Sequence, residues 1–345
     1  SGTSVAEYAF TFEDEQTTVE LSKADLTDKK ELPGASLKVT DEDGNTVDEW
    51  VSKEEAHIIK GLIVGKKYKM TETKPADGYV TAESIEFTVE NTKEVQKHQM
   101  LDDVTKVEIS KKDITDSSEV PGAKLIILDK DGKKVESWTS TDKPHMVEKL
   151  PVGEYTLREE QAPDGYLIAE DVKFTVKDTG KVQKVKMKDA HPYGKLVIKK
   201  TDSTSKAALP GAEFELREKE SGKVVEKLVT DKTGTATSGK LPIATYKNGK
   251  VEKTVEYILV ETKAPNGYEL SSKKEEIRFE YKDGKTKVIE IVKEIKNTKS
   301  PSGSTPTGNS PKTGDSTNIW LPILLAVLSA CGIGGVIWYK KKKGN

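Results

Sequence analysis

The sequence predicts an all-β fold of tandem antiparallel β-sandwiches, followed by one C-terminal transmembrane helix. Two observations indicate the sandwiches: motifs recur at intervals of 88 and 89 residues, and each interval holds short alternating apolar and polar runs bounded by turn residues. A third observation indicates the helix. Residues 319–339 are 21 residues without a charge, and a helix of that length spans roughly 31 Å, the thickness of a hydrocarbon core.

Two recurring motifs define three repeats. A Pro-Gly-Ala motif lies near the start of each repeat, and an Asp/Asn-Gly-Tyr motif lies late in each, at residues 77–79, 164–166 and 266–268. The predicted repeats are 17–103, 104–190 and 191–298, and the third is longer through an insertion around Ala244 to Val255. Residues 1–16 are interpreted as the remnant of a preceding repeat, with a chance alternating run as the alternative.

Turn residues separate the predicted strands within each repeat. The glycine of each Pro-Gly pair suits a turn that needs a positive φ angle, and Asp43-Gly44, Asp131-Gly132 and Ser221-Gly222 suit hairpins. Regular short strands without helical periodicity predict an immunoglobulin-like sandwich. The acidic run at residues 41–44 lacks the downstream ligands of a calcium loop, so we predict a solvated hairpin there and no metal site.

Composition excludes several function classes. Charged residues make up 33% of the 345-residue chain but nearly cancel, and only three of the 56 basic residues are arginine, which argues against nucleic-acid binding. The single cysteine, Cys331, lies in the apolar tail, so the rest of the chain has no disulfide. The sequence contains no nucleophile–base pair, metal cluster or phosphate loop, which predicts a protein that is not an enzyme and has no cofactor.

The C-terminal tail has three parts in a fixed order. Residues 299–309 are a flexible spacer without apolar side chains, residues 319–339 are the apolar span, and residues 340–343 are lysines. Between spacer and span lies the motif Ser310, Pro311, Lys312, Thr313, Gly314. The arrangement resembles the sorting signal of sortase substrates, which implies cleavage between Thr313 and Gly314 and transfer to an amine of peptidoglycan or of a pilin. The familiar motif begins with leucine, where this chain has Ser310.

Three residue types recur at matched positions in the repeats. A lysine in the first predicted strand lies two residues before an aspartate, a glutamate lies six residues before the glycine of the Gly-Tyr motif, and an acid or amide ends the last strand. These residues are Lys23, Glu72 and Asp102 in the first repeat, Lys111, Glu159 and Asp189 in the second, and Lys200, Glu261 and Asn297 in the third. In the first repeat, alternation could place either Asp102 or Asp103 inward. Unrelated strand residues or ordinary surface salt bridges are the alternative interpretation.

These residues, with the segments 72–79, 159–166 and 261–268, resemble the Cna protein B-type, or SpaA-type prealbumin-like, domain of Gram-positive adhesins and pilins. The resemblance covers nearly all of residues 17–298. It implies that each lysine bonds covalently to the Asp or Asn side chain, and that Glu72, Glu159 and Glu261 assist. A buried lysine with a lowered pKa is a nucleophile, and a buried protonated glutamate can hydrogen-bond the acceptor carbonyl.

The predicted function is a cell-wall-anchored stalk of a Gram-positive surface protein, tethered to the membrane before sortase cleavage. We expect an adhesive region upstream of Ser1, which would carry any contact with a host ligand. A minor or basal pilin subunit and the wall anchor of a secreted enzyme are the alternatives.

Overall fold

The computed structural model describes residues 16–301, which form β-strands and their connections. The predictions for the remnant at residues 1–16 (apart from residue 16), most of the spacer, the sorting motif 310–314, the transmembrane helix 319–339 and the basic tail 340–343 concern residues outside this range. Within residues 16–301, no helix is long and apolar enough to cross a membrane. The prediction of an all-β fold is confirmed.

The first repeat consists of two sheets packed face to face. Its strands are β1 Thr18–Asp25, β2 Ser36–Thr40, β3 Thr46–Val51, β4 His57–Lys60, β5 Lys67–Lys74, β6 Ile85–Thr88 and β7 Gln96–Asp102. One sheet has the order β3-β2-β5-β6 and the other the order β4-β1-β7. Alternation along the strands turns side chains such as Leu21, Leu37 and Met70 into the space between the sheets, where they form the core.

The second repeat has the same plan. Its strands are β8 Lys106–Asp113, β9 Lys124–Asp129, β10 Lys134–Thr139, β11 His145–Glu148, β12 Gly153–Gln161, β13 Val172–Val176 and β14 Val182–Asp189. The sheet orders are β10-β9-β12-β13 and β11-β8-β14.

The Pro-Gly turns adopt the positive φ angles that the sequence predicts, with φ of 100° at Gly34, 93° at Gly122 and 79° at Gly211.

The third repeat adds a hairpin to this plan. Its strands are β15 Tyr193–Asp202, β16 Glu213–Glu218, β17 Val224–Val229, β18 Thr235–Thr237, β19 Leu241–Pro242, β20 Ala244–Lys247, β21 Lys250–Thr254, β22 Glu256–Lys263, β23 Lys274–Arg278 and β24 Val288–Asn297. One sheet has the order β17-β16-β22-β23, and in the other β15 pairs with β18, β19 and β24. The hairpin β20-β21 lies within the segment that the sequence marks as an insertion.

Most strand pairs are antiparallel, as predicted for the sandwiches, but each repeat pairs its first and last strands in parallel. The parallel pairs are β1 with β7, β8 with β14 and β15 with β24, while the other pairs between named strands are antiparallel. A parallel pair needs a long connection between its strands, and here the connection is the rest of the sandwich. The first and last strands of each repeat therefore lie side by side, and the chain enters and leaves the repeat at opposite ends of this pair.

Side chains and backbone groups from neighbouring repeats meet at two joints. At the first joint, Thr105 donates its hydroxyl to the carbonyl of Leu150 at 2.6 Å, and its N–H donates to the carbonyl of Gly78 at 3.0 Å. Lys149 of the second repeat donates to the hydroxyl of Tyr79 at 2.7 Å. The first joint is thus built of hydrogen bonds to loops on both sides.

The hairpin β20-β21 makes the second joint. The Tyr246 ring stacks on His191 with centroids 3.5 Å apart and planes 3° apart, and its hydroxyl donates to the carbonyl of Gly165 at 2.8 Å. The N–H of Ile168 donates to the carbonyl of Gly284 at 2.8 Å across the same joint. The insertion therefore contacts the repeat that precedes it.

Candidate functional site

Strand pairing brings the predicted lysine and acceptor of each repeat together. In the parallel pair β1-β7, Lys23 is in register with Met100, so Asp102 lies two residues further along the neighbouring strand. Lys111 and Lys200 hold the same position relative to their acceptors. The glutamate comes from the facing sheet, on β5, β12 or β22, and reaches the same place between the sheets.

The first repeat buries its lysine, glutamate and aspartate completely. The Lys23 ammonium contacts Oδ1 of Asp102 and lies 2.9 Å from Oε1 of Glu72. Lys23 is 1% exposed, Glu72 4% and Asp102 0%. Asp103 points the other way and pairs with Lys106 at 2.8 Å, so Asp102 is the carboxylate at this site.

The second repeat repeats this geometry. The Lys111 ammonium contacts Oδ1 of Asp189 and lies 2.9 Å from Oε2 of Glu159. All three residues are buried. The match between two repeats that differ in most of their residues indicates that the position of each group is set by the fold.

The third repeat has an amide where the others have a carboxyl group. The Lys200 ammonium contacts Oδ1 of Asn297 and lies 2.9 Å from Oε1 of Glu261. The side-chain nitrogen of Asn297 donates to Oε1 of Glu261 at 3.0 Å and to Oε2 at 3.2 Å. Glu261 therefore contacts both the amine and the amide nitrogen.

A backbone N–H fixes each glutamate. Oε2 of Glu72 accepts from the N–H of Ala82 at 2.6 Å, and the equivalent donors to Glu159 and Glu261 are Ala169 at 2.7 Å and Ser271 at 2.8 Å. The donor lies ten residues after the glutamate in all three repeats. Sequence reasoning missed these donors because a backbone N–H carries no residue signal.

Burial changes the protonation of the acceptor carboxyl groups. It raises the pKa of Asp102 and of Asp189 to about 7, since desolvation outweighs the attraction of the neighbouring lysine and the nearby glutamate adds to the rise. Oδ2 of each aspartate is buried without a hydrogen-bond partner among residues 16–301, which also disfavours the charged form. A neutral acid is a better electrophile than a carboxylate, so the site favours the reactive form.

Burial also acts on the lysine of the third repeat. It lowers the pKa of Lys200, although hydrogen bonding and charge attraction from Glu261 oppose the change. A lowered pKa increases the fraction of lysine in the neutral amine form, which is the nucleophile. The geometry at all three sites thus joins an amine, a carbonyl carbon and a carboxyl group able to carry a proton between them.

A second contact in each repeat links two motifs that the sequence shows separately. The aspartate two residues after the lysine accepts a hydrogen bond from the tyrosine of the Gly-Tyr motif. The pairs are Asp25 with Tyr79 at 2.7 Å, Asp113 with Tyr166 at 2.8 Å and Asp202 with Tyr268 at 2.9 Å. Sequence reasoning found both motifs but inferred no contact, although their joint recurrence in three repeats was the available signal.

The other candidate residues of the chain form no second site in the described range. Within residues 16–301, no group of three or more His, Cys, Asp or Glu side chains could hold a metal ion. His57 and His145 stack on Trp50 and Trp138, with centroids 4.2 and 4.4 Å apart. The sorting motif, Ser310 to Gly314, lies outside the described residues.

Comparison with solved structures gives several matches to bacterial surface proteins. The Bacillus anthracis TIE protein is 28% identical, with a TM-score of 0.55, and the match covers 83% of this chain and 52% of that one. This chain therefore spans about half the length of that protein. BcpA, the major pilin subunit of Bacillus cereus, is 18% identical over 83% of this chain and 100% of its own, with a TM-score of 0.49. The major pilin SpaD from Corynebacterium diphtheriae is 18% identical over 85% of this chain and 99% of its own, with a TM-score of 0.38.

Comparison with sequences gives one family. No curated protein matches the chain. The model of the SpaA prealbumin-like fold domain matches residues 17–103, 105–191 and 194–295, which together are well over half of the chain. These segments contain the residues of the three buried sites except Asn297, which lies two residues after the third match. The chain therefore belongs to the SpaA family of prealbumin-like fold domains and contains three of them in tandem.

Proposed function

We propose that the chain is the stalk of a cell-wall-anchored surface protein of a Gram-positive bacterium, and that each repeat forms one intramolecular isopeptide bond. The observation that carries the proposal is the buried contact between a lysine amine and an Asp or Asn side chain, which recurs with a glutamate at 2.9 Å in all three repeats. An ion pair kept for stability alone has no reason to recur in this form, because burying charges generally costs as much as their attraction returns.

The reaction is an amide condensation between two side chains. The lone pair of the lysine nitrogen attacks the side-chain carbonyl carbon, a C–N bond forms, and a C–O bond of Asp102 or Asp189 breaks with release of water. At Asn297 a C–N bond breaks and ammonia leaves. The glutamate accepts the proton from the attacking nitrogen and donates it to the leaving group, so its own charge is unchanged at the end.

The fold supplies the other requirement of this reaction. Amine and carbonyl are held in contact by neighbouring strands, so no encounter step remains, and water is excluded by the core on both sides. The reaction occurs once in each repeat, which makes it a maturation step and not a turnover. By the chain-entropy estimate used for disulfides, closing loops of 78 to 97 residues stabilises each repeat by about 4.5 kcal/mol.

The stalk role rests on the tandem repeats together with the sequence of the tail. Sortase is the proposed partner at residues 310–314, and an amine of peptidoglycan or of a pilin is the proposed acceptor of Thr313. The repeats would then hold a region nearer the N terminus away from the wall, where it could meet a host ligand. A chain without cysteine in residues 1–330 gains from a crosslink that reductants do not cleave.

Intact mass of the full chain tests the bonds. Three bonds predict a deficit of about 53 Da from the sequence mass, equal to two waters and one ammonia, as covalent maturation requires. The Glu159→Gln variant should recover about 18 Da, because it leaves the second repeat without a proton carrier but with a side chain of the same size. Peptide mapping should then find residues 111 and 189 uncrosslinked. A full chain with unshifted mass would overturn the proposal.

A further inference from the structure

The aspartate of each Lys-x-Asp motif lies directly opposite the crosslink acceptor. Asp25 is in register with Asp102, Asp113 with Asp189, and Asp202 with Asn297. The proposed reaction uses the lysine of this motif and assigns no role to the aspartate. The aspartate is nonetheless buried in all three repeats, which requires a structural or functional reason.

Each aspartate organises a tight turn that holds the acceptor strand. A side-chain oxygen of Asp202 accepts from the N–H of Thr204 at 2.8 Å and of Ser205 at 2.7 Å. The N–H of Ser203, in the same turn, donates to the carbonyl of the acceptor Asn297 at 2.9 Å. The equivalent bonds run from Leu26 to Asp102 at 2.8 Å and from Ile114 to Asp189 at 3.1 Å.

The loop that contains the tyrosine of the Gly-Tyr motif makes a second backbone hydrogen bond to the same strand. The residue after Tyr268, Glu269, donates its N–H to the carbonyl of Thr298, which follows the acceptor, at 3.0 Å. The equivalent bonds run from Val80 to Asp103 and from Leu167 to Ala190, both at 2.9 Å. The turn after the first strand therefore binds the backbone carbonyl of the acceptor, and the loop with the tyrosine binds the backbone carbonyl of the next residue.

We propose that the Asp–Tyr hydrogen bond of each repeat is a positioning device for isopeptide formation, since it fastens together the two segments that hold the acceptor. This inference rests on the proposed function. The positioning residues are Asp25 with Tyr79, Asp113 with Tyr166 and Asp202 with Tyr268. They touch neither the amine nor the reacting carbonyl in the hydrogen-bond pattern of residues 16–301; they act through the turn and the loop.

The charge of the aspartate strengthens this device. Hydrogen bonds from the Ser205 backbone, Tyr268 and the Thr204 backbone lower the pKa of Asp202 to about 2, so the group is a carboxylate at neutral pH. A hydrogen bond to an ionised acceptor is roughly twice as strong as a neutral one. The tyrosine hydroxyl is therefore held more firmly than by a neutral partner.

The third repeat offers the cleanest test. The hydrogen-bond partners of Asp202 and Tyr268 within residues 16–301 all belong to the third repeat. In contrast, Asp25 also contacts Lys149, and Asp113 also contacts His191 at the second joint. A change at Tyr268 thus alters positioning without altering a joint between described repeats.

The experiment follows crosslinking of the full chain with time after cell-free synthesis, at a temperature where circular dichroism shows it folded. Peptide mapping reports each repeat separately, so repeats one and two serve as internal standards. Tyr268→Phe removes only the hydroxyl and should slow crosslinking of Lys200 to Asn297 by tenfold to a hundredfold, roughly the cost of an ångström-scale misplacement. Tyr257→Phe is the matched control, because its hydroxyl donates to the carbonyl of Pro242 in the same repeat, away from the site.

Conservative replacement separates positioning from stability. Asp202→Asn keeps an oxygen for the turn N–H groups and a partner for Tyr268, so it should crosslink faster than Asp202→Ala. The inference is overturned if Tyr268→Phe crosslinks at the wild-type rate, if Tyr257→Phe slows as much as Tyr268→Phe, or if the two Asp202 variants are equally slow. A wild-type chain that never loses mass would instead overturn the proposed function, so the two failures are distinguishable.

Discussion

At the scale of single residues, the three sites share an amine and a glutamate and differ in the acceptor. Asp102 and Asp189 must carry a proton before their carbonyl carbons react, whereas Asn297 is an amide and needs none. The unpartnered Oδ2 atoms of the two aspartates fit this difference, since condensation removes one oxygen from each. Under the proposed function, the same fold would thus support two condensations that release different leaving groups.

The difference between acceptors predicts a difference in pH dependence. Since the pKa of Asp102 and of Asp189 is raised to about 7, the neutral acid is present below pH 7 and is lost as the pH rises through 7. All three sites need the neutral amine and only the first two need the neutral acid, so crosslinking of the first two repeats should slow relative to that of the third by roughly tenfold for each pH unit above 7. Crosslinking of the third repeat should not slow over the same range.

Time courses of crosslinking, read by peptide mapping of the full chain on either side of pH 7, measure this. The third repeat is the internal control, because all three sites share the same solution. Equal pH profiles in the three repeats would contradict the role given to the aspartate proton.

Neighbouring aspartates give a matched pair of variants in the first repeat. Asp102→Ala should abolish one water loss and destabilise that repeat by about 4.5 kcal/mol, the entropy of a loop closed across 79 residues. Asp103→Ala removes a partly exposed ion pair with Lys106 and a hydrogen bond from the N–H of Val104, and it should cost about 1–2 kcal/mol with no change in the mass deficit.

Intact mass and calorimetry of the two variants check this prediction. The unfolding temperature of the first repeat should fall by roughly 20 °C in Asp102→Ala and by a few degrees in Asp103→Ala. A mass deficit that is smaller by one water in Asp103→Ala and unchanged in Asp102→Ala would reverse the assignment of the acceptor.

At the scale of strands, the spacing of residues in the sequence predicted which strands meet but not whether they run parallel. The matched intervals between lysine, glutamate and acceptor predicted a meeting of the first and last strands, and β1 and β7 do pair. Their parallel direction was not predictable from alternation, because the pattern of buried and exposed residues along a strand is the same in either direction.

Some features of the site had a sequence signal and others had none. The Asp102 or Asp103 ambiguity came from a period of two residues, and the packing of the strand end resolved it. The N–H groups that fix the glutamates belong to Ala82, Ala169 and Ser271, whose side chains share no chemistry. In contrast, the Asp25 and Tyr79 motifs were both visible, and only the distance between them in space was missing from the sequence.

At the scale of the whole described chain, the two joints are built from different parts. The first uses a loop lysine, Lys149, and a linker threonine, Thr105. The second uses a hairpin that only the third repeat carries, with Tyr246 placed against His191. A repeat can thus change its contact with its neighbour through one short insertion while keeping the two-sheet plan.

The hairpin predicts a local change in hydrogen exchange. Tyr246→Ala removes a ring stack and a hydrogen bond to Gly165, together worth about 1–3 kcal/mol, so the second joint should open more often. The amide of Ile168, which donates across the joint, should then exchange roughly tenfold faster or more, as local opening predicts. Lys247→Ala, at an exposed position of the same hairpin, is the control and should leave that amide unchanged.

Hydrogen-exchange mass spectrometry of the full chain measures both variants. Faster exchange confined to the core strands of the third repeat, with Ile168 unchanged, would show that the hairpin stabilises its own sandwich and not the joint.

The side-by-side position of each repeat's first and last strands has a consequence for damage. The proposed bond between Lys23 and Asp102 would turn residues 23–102 into a closed ring that includes the exposed hairpin tips of that repeat. A protease that cuts such a tip opens the ring but does not divide the molecule, because the chain still runs from Lys23 through the bond to Asp102. Within residues 16–301, one cut would then sever the chain only outside the rings, as at residues 103–110 and 190–199, which neighbouring repeats contact at the two joints.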